Sequence, residues 1–202
     1  MDAVEFVRDL TYDSLKTLFA KKGYRFFEGG DYDLNIFGMR LTTGTDEFDD
    51  VIGVAYKKDG LKVLKTYAAT TEPGLYYLKN LLNEDGCAIM VPGQYRGLYK
   101  IGPHGRKRYT ALRQKGKVKV FRDGDLDNEH DMDPETIQES RRFYTNLHQA
   151  FDADKVRKNS AGCQVVQMEE DFDELMEICH NAAAVWGNSF TYTLFDLEAT
   201  KL

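Results

Sequence analysis

The spacing of apolar positions changes along the chain, from a helical period at the start to a period of two from Asp31 onward. Within residues 1–30 the apolar positions at helical spacing are Leu10, Leu15, Leu18 and Phe19. Asp13 or Ser14 offers a cap for this segment, and the Gly29-Gly30 pair ends it. We therefore predict an N-terminal helical extension over residues 1–30 and one domain over residues 31–202.

Alternating residues predict strands through most of that domain. Residues 33–41 form the first, and residues 51–56 and 61–66 form a hairpin because Asp59-Gly60 favours a two-residue turn. Further strands are predicted at 87–91, within 96–122, and at 143–148 and 189–197, with a short strand or helical turn at 75–82. Asp133-Pro134 predicts a helix start, and residues 171–184 predict an amphipathic helix. The fold class is therefore α+β, mainly an antiparallel β sandwich or barrel-like domain with a few helices.

Composition narrows the classes of function. The chain has 202 residues, of which 42% are hydrophobic and 30% charged, and this is typical of a globular domain. The net charge of −6 argues against a general nucleic-acid partner. Residues 100–122 carry nine Lys or Arg and no acid, and we interpret them as solvated strand faces balanced by the acidic segment that follows.

Neither a membrane span nor a signal peptide is predicted. No apolar run approaches the length of about 20 residues that a membrane helix needs. The opening residues, MDAVEFVRDL, lack a basic region followed by an apolar one. We therefore expect synthesis in the cytoplasm.

The candidate chemistry centres on one of three cysteines, Cys87, Cys163 and Cys179, which have no metal-ligand spacing. Cys163 follows Ser160-Ala161-Gly162, a tight turn of small residues whose N–H groups are able to stabilise an oxyanion. His148 lies upstream as the base that such a thiol needs. Cys87, in a strand, and Cys179, on the apolar stripe of a helix, are interpreted as core residues.

The other histidines carry weaker signals. His104 lies in the loop Gly102-Pro103-His104-Gly105, where it is exposed enough to join the site, although no residue pattern connects it to Cys163. His130 in the acidic segment and His180 on a helix are interpreted as incidental.

His148 followed by Ser160-x-Gly162-Cys163 resembles the signature of the L,D-transpeptidase (YkuD-like) catalytic domain family. The hairpin 51–66 and the Thr71-Glu72-Pro73-Gly74 turn resemble that family's opening strands and its Pro-Gly turn, so that the resemblance covers roughly residues 34–170. The likeness is to a divergent variant, as in bacteriophage or Bacteroidetes cell-wall proteins. It implies a β-rich sandwich or barrel-like fold that acts on peptidoglycan stem peptides.

The resemblance also implies roles for individual residues. Cys163 is the nucleophile that forms a thioester, and His148 is the base and then the acid. The N–H groups of Cys163 and Gly162 form the oxyanion hole, and the backbone carbonyl of Gln149 orients the imidazole. The substrate-binding residues implied are Ser160, which shapes the turn, and Asn146. Among the basic residues of the predicted strands, Arg96 or a neighbouring cation is a candidate to bind a stem-peptide carboxylate.

Three departures from the family pattern leave hydrolysis and transpeptidation both open. Ala161 stands where the family has a second histidine, and Gln149 stands where it has a glycine. The arginine usual after the cysteine is absent, because Gln164-Val165-Val166 follows. The alternative function is a non-catalytic structural or wall-binding protein, such as a virion component. In the enzymatic interpretation the partners are peptidoglycan or muropeptides, and the protein acts at the cell wall as a phage lysin or virion protein.

A metal site is a separate prediction. Asp123, Asp125 and Asp127 alternate as the oxygen ligands of a calcium loop do. The pattern fails as an EF-hand, because Asn128 replaces the glycine and Pro134 the final glutamate. A looser structural calcium site and a solvated acidic loop both fit, and no other cofactor is required.

Overall fold

The computed structural model describes residues 3–41, 44–105 and 108–197, and these form an α+β domain made mostly of strands. Its helices are α1 (Ala3–Arg8), α2 (Tyr12–Lys21), α3 (Leu75–Lys79) and α4 (Glu169–Trp186). Its strands are β1 (Asn35–Arg40), β2 (Asp50–Lys58), β3 (Leu61–Thr70), β4 (Cys87–Met90), β5 (Gly93–His104), β6 (Tyr109–Gln114), β7 (Val118–Asp123), β8 (Gln138–Ser140), β9 (Leu147–Gln149), β10 (Gln164–Val166) and β11 (Phe190–Asp196). The predicted coarse class, a β-rich α+β fold with a barrel-like core, is confirmed.

Within the described residues most strands close into a barrel. The order around it is β1-β11-β5-β6-β9-β10-β3-β2, and β4-β7-β8 form a separate sheet. Most neighbours are antiparallel, but β1 pairs with β11 in parallel, and so does β9 with β10. The strands predicted within residues 96–122 are β5, β6 and β7, and their pairings with one another and with β4 and β8 are antiparallel, but β7 lies outside the barrel, in the sheet with β4 and β8.

The hairpin of β2 and β3 is confirmed, with strands longer than predicted. Asp59 and Gly60 both have positive φ, at 52° and 75°. A two-residue turn of this kind matches the twist of its strands, and glycine adopts that backbone at little cost. The acidic stretch 42–50 between the first two strands is predicted to be a loop, and its first two residues, Thr42 and Thr43, lie outside the described residues.

The N-terminal helical segment is two short helices rather than one. Thr11, not Asp13 or Ser14, caps α2, and its side chain and that of Ser14 bond each other's backbone N–H in a capping box. The buried face of α2 joins residues of β1 and β11 in an apolar cluster that includes Phe19, Phe37 and Phe195. The domain boundary at residue 30 stays a prediction.

The remaining differences concern short elements. The predicted helix start at Asp133 is a single 3-10 turn, Pro134–Thr136, although Asp133 caps it as expected. The strand predicted over residues 143–148 is only β9, because the chain just before it bends and its polar groups pair with side chains of other segments. The helix predicted over residues 171–184 is α4, and its apolar face, including Phe172 and Cys179, packs in the main core as predicted.

No helix in the described part of the chain is long and apolar enough to cross a membrane. Lys115, Lys117 and Lys119 are exposed, as predicted for a solvated basic face, whereas Arg106 and Lys107 lie outside the described residues.

Candidate active site

The parallel pair β9-β10 places His148 in one strand and Cys163 directly before the neighbouring strand. Val165 is paired with His148, and the Gln164 N–H donates to the carbonyl of Asn146 at 2.8 Å, which extends the ladder toward Cys163. Alternate residues of a strand share a face, so that Asn146 and His148 project to one side of the sheet, beside Cys163. The pairing of β9 with β10 thus places two residues fifteen positions apart on neighbouring segments of the sheet.

The turn that carries Cys163 is held by its own side chains and by β4. The buried Ser160 hydroxyl accepts the Gly162 N–H at 3.1 Å and donates to the Cys163 carbonyl at 2.9 Å. Gly162 has φ +119°, and a Cβ there would lie 2.0 Å from the Ala88 carbonyl oxygen. Glycine is therefore the residue that fits this approach to the strand.

These contacts revise two predicted roles. The Gly162 N–H is donated to Ser160, so it is not available as an oxyanion donor, whereas the Cys163 N–H makes no hydrogen bond to any described residue. The Ser160 hydroxyl is used inside the turn and is buried away from the cavity, so that it shapes the turn but does not contact a ligand there.

The Cys163 thiol is half-buried and protonated at neutral pH. Its Sγ lies 3.4 Å from the Tyr144 carbonyl, to which the S–H donates. Burial raises the pKa of the Cys163 thiol to about 11, against a smaller opposite effect of the Asn146 backbone N–H. Attack by this sulfur therefore requires a base that takes its proton as the bond forms.

His148 has the orientation of a general base. Its Nδ1 lies 2.8 Å from the Gln149 carbonyl oxygen, the contact that the resemblance implied. A carbonyl only accepts, so Nδ1 carries the proton and Nε2 carries the lone pair in the neutral ring. Burial, with the nearby His104, lowers the pKa of His148 to about 4, so the ring is neutral at pH 7.

His104 is the site residue that the sequence did not connect to Cys163. It ends β5, and its ring is stacked on that of His148 with 4.4 Å between the centroids and 20° between the planes. Its Nδ1 lies 3.3 Å from Asn146 Nδ2. From the sequence, the position of His104 beside Gly105 indicated only an accessible loop. The two rings stack because β5 pairs with β6 and β6 pairs with β9, which carries His148.

A cavity of about 420 Å³ opens beside the thiol. Its lining includes the site residues His104, Asn146, Gly162 and Cys163. Arg122 and Arg142 supply its cationic side chains. Arg122 is anchored by the Gly86 carbonyl at 3.0 Å and by Gln138, whereas the Arg142 side chain is exposed at the rim.

The prediction that Arg96 serves this cavity is not met. Arg96 is exposed and lies over the ring of Phe27 at 5.8 Å, and it is absent from the cavity lining. The alternation along β5 directs its side chain to another part of the surface.

The acidic segment brings together a different trio from the predicted one. Ligand oxygens of Asp123, Asp125 and Asp131 lie within 4.8 Å of one another. Asp127 instead accepts the Glu129 N–H through its Oδ1 at 2.6 Å, in a local turn. Spacing alone favoured Asp127, but the fold of the segment returns Asp131 to Asp123. Calcium binding stays a prediction.

A second polar group, called here the ionic cluster, consists of Arg40, Asp50, Glu72 and His130. The fully buried Arg40 has its Nε 3.1 Å from a Glu72 oxygen, and His130 Nδ1 lies 3.2 Å from the other. Asp50 accepts the N–H of Leu41 and both the N–H and the hydroxyl of Thr71.

His130 is therefore not incidental. Its Nε2 lies 2.8 Å from the Pro73 carbonyl, so that both ring nitrogens face acceptors and the ring is held as a cation. Burial lowers the pKa of His130, but the hydrogen bond to Glu72, that carboxylate's charge and the Pro73 carbonyl together raise it above its ordinary value. The next residue, Gly74, donates its N–H to the Ser160 carbonyl at 2.9 Å, which joins the cluster to the Cys163 turn.

Comparison of the chain with family models, with curated proteins and with solved structures gives no match. The assignment of chemistry therefore rests on the geometry of these residues and on the sequence resemblance.

Proposed function

We propose that the protein is a cysteine-dependent acyl-transfer enzyme that acts on peptidoglycan stem peptides. The observation that carries the proposal is the relation of three groups. His148 is fixed by the Gln149 carbonyl with its Nε2 lone pair free, the Cys163 thiol directly precedes the adjacent strand β10, and a cavity of about 420 Å³ opens at that thiol.

The protonation states support a concerted first step. Both groups are neutral at pH 7, because burial opposes the charged form of each. His148 Nε2 takes the thiol proton while the sulfur bonds to the substrate's carbonyl carbon, and the oxygen becomes an oxyanion that the free Cys163 N–H stabilises. The C–N bond then breaks, and the leaving amine takes the proton back from His148.

The second step decides the reaction type. The thioester on Cys163 passes its acyl group to water in hydrolysis or to an amine in transpeptidation, with His148 removing a proton from either acceptor. The cavity has room for water or for an amine as the acyl acceptor. The masses of the products distinguish hydrolysis from transpeptidation.

The lining of the cavity supports a peptide with a carboxylate. Arg122 and Arg142 are planar cationic donors that suit such a group, and they take the part that the sequence gave to Arg96. The choice of peptidoglycan rests on the resemblance at His148 and at Ser160–Cys163. On the same resemblance we propose that the protein acts at the cell wall, as a phage lysin or virion protein.

The test is mass spectrometry of the protein incubated with purified muropeptides that carry tetrapeptide stems. We expect a thioester adduct on Cys163 or new products, and neither with Cys163→Ala. Cys179→Ala is the matched control, because Cys179 is buried in α4, away from the cavity lining. Equal turnover by Cys163→Ala and the control would show the proposal to be wrong.

One observation favours the second candidate, a non-catalytic structural or wall-binding protein. The raised pKa of Cys163 gives a thiol that reacts slowly on its own, as structural cysteines do. For this candidate we expect binding of the protein to intact peptidoglycan sacculi with no adduct, no new muropeptide and no loss of binding in Cys163→Ala. Adducts that depend on His148 exclude it.

A further inference from the structure

The orientation of the Asn146 side-chain amide is fixed by the main chain. The backbone N–H of Gln114 lies 2.9 Å from Asn146 Oδ1 and is only a donor, so that this atom must be the amide oxygen. The NH2 group of Asn146 therefore faces His104 Nδ1, at 3.3 Å. An NH2 group only donates, so it requires a lone pair on that ring nitrogen.

The two stacked imidazoles consequently hold opposite tautomers. His104 has its lone pair on Nδ1 and its proton on Nε2, whereas His148 has its proton on Nδ1 and its lone pair on Nε2. Burial and the charge of Arg113 lower the pKa of His104, which keeps this ring neutral as well. Among the described residues, neither Nε2 makes a hydrogen bond.

The Gly162 N–H, which the resemblance implied as an oxyanion donor, is not available to the acyl oxygen. It is donated to Ser160, so that of these two adjacent amides the Cys163 N–H is the one without a hydrogen bond to the described residues. His104 lines the same cavity as Cys163 and carries an unused N–H.

We propose that His104 is a second catalytic histidine, whose Nε2–H hydrogen-bonds the acyl oxygen of the substrate while His148 takes the thiol proton. This inference rests on the proposed acyl transfer. The sulfur bonds to the carbonyl carbon, the carbonyl π electrons move to the oxygen, and that oxygen accepts from His104 and from the Cys163 N–H. No proton leaves His104, which returns to its starting state when the tetrahedral intermediate collapses.

The tautomers are measured first, by long-range ¹H–¹⁵N NMR of the labelled protein at pH 7, with His104→Gln and His148→Gln used to assign the rings. We expect an Nε2–H ring for His104 and an Nδ1–H ring for His148. Asn146→Asp places a carboxylate oxygen against Nδ1 and is expected to move the His104 proton there. Asn188→Asp, which alters another amide bonded to β5, is the control and leaves the tautomer unchanged. An Nδ1–H tautomer or an imidazolium at His104 in the wild-type protein overturns the inference.

The catalytic role is measured with two small probes that differ in one respect. Acylation of Cys163 by p-nitrophenyl acetate forms an oxyanion and releases nitrophenolate, whereas alkylation by iodoacetamide displaces iodide without one. We expect His104→Leu to slow acylation by about 100-fold, the effect of losing one oxyanion donor. Alkylation changes less than about threefold, and His104→Gln, which keeps an N–H donor, recovers part of the acylation rate.

The control is His180→Leu, which removes an exposed histidine of α4 and leaves both rates unchanged. If His104→Leu slows both probes equally, or leaves acylation within about threefold of the wild type, His104 does not act on the acyl oxygen. If wild-type Cys163 is acylated neither by the ester nor by muropeptides, the proposed function itself fails and the role of His104 fails with it. These results are therefore distinguishable.

Discussion

Two polar clusters flank the Thr71–Gly74 turn, and they differ in charge and in completeness. The ionic cluster holds Arg40 and His130 as cations against Asp50 and Glu72. The candidate active-site cluster, His104, His148 and Cys163, is without a charge at neutral pH. The turn contacts both, through Arg40 and the Thr71 carbonyl on one side and through Gly74 and Ser160 on the other.

We interpret the difference as that between a structural cluster and a chemical one. In the ionic cluster most donors and acceptors are used, and Nε of Arg40 donates to the Thr71 hydroxyl while it pairs with Glu72 Oε1, which accepts no hydrogen bond within the described part of the chain. In the candidate active-site cluster one nitrogen of each ring is fixed and the other has no partner among the described residues. A buried polar group left with free capacity is costly unless a ligand uses it.

The largest expected effect is the loss of the buried cation. Arg40→Met removes the buried guanidinium that stabilises the charged forms of Asp50 and Glu72, and we expect the free energy of unfolding to fall by about 3–5 kcal/mol. Urea denaturation measures it. Lys65→Met, which breaks the exposed pair with Glu174, is the control and costs less than about 1 kcal/mol. Equal losses in the two variants would contradict a structural role for the cluster.

The two clusters are expected to respond to pH with opposite sign. The folded pKa of His148 is about 4, below the ordinary 6.5, so its contribution is complete above pH 6.5 and is lost as pH falls toward 4, by about 3 kcal/mol in all. The folded pKa of His130 is raised by Glu72, against Arg40 and burial, so its contribution is present below pH 6.5 and is lost as pH rises through that pKa.

The free energy of unfolding measured from pH 4 to pH 9 in urea checks this pair. In a plot of this free energy against pH, His148→Gln is expected to reduce the wild-type slope between about pH 4 and 6.5. His130→Gln is expected to reduce the slope above about pH 6.5. The same slope in both variants and in the wild type would mean that neither ring titrates as described.

A smaller effect is expected at the turn that joins the clusters. Gly162→Ala places a methyl group against the Ala88 carbonyl at φ +119°, whereas Gly187→Ala adds one at φ +85° with nothing within 4 Å. Both pay for a left-handed backbone, at about 1 kcal/mol, but only Gly162→Ala must also displace β4, so we expect it to cost at least about 2 kcal/mol more. Thermal unfolding of the two variants gives the difference, and equal melting temperatures contradict the close approach.

The smallest effect concerns the acidic segment. If calcium binds at Asp123, Asp125 and Asp131, a concentration ten times the Kd stabilises the fold by about 1.4 kcal/mol. Asp131→Asn removes this gain and Asp127→Asn keeps it, because Asp127 is outside the trio. Melting temperatures in calcium and in EDTA test both, and a gain lost only in Asp127→Asn would restore the ligands predicted from spacing.

The sequence predicted individual helices and hairpins well, but it predicted less well which strands pair with each other. The Asp59-Gly60 hairpin and α4 follow from turn chemistry and helical spacing, which act within a few residues. The position of β7 outside the barrel does not follow from such local patterns. A strand with alternating side chains is able to pair with the edge of any sheet that offers a matching apolar face. The two parallel pairs escaped prediction for the same reason.

The candidate site likewise has residues that local motifs predicted and residues that depend on which strands pair. The residue types at His148 and in the Ser160–Cys163 turn pointed to a thiol and its base, and the resemblance pointed to the Gln149 carbonyl. The sequence did not connect His104, Arg122 or Arg142 to the cavity, and Arg96, its named candidate for a carboxylate, is absent from the cavity lining. Each of these depends on which strands are neighbours and on which face a side chain leaves its strand.

By itself the sequence determined the β-rich class, the hairpin, the last helix and the candidate nucleophile with its base, since these depend on local periodicity and on short motifs. Only the tertiary structure decided that His104 stacks on His148, that Asp131 replaces Asp127, and that His130 belongs to a buried ionic cluster. The physical reason is that tautomer, charge and hydrogen-bond capacity are set by neighbours distant in the chain, which the closure of the barrel brings together.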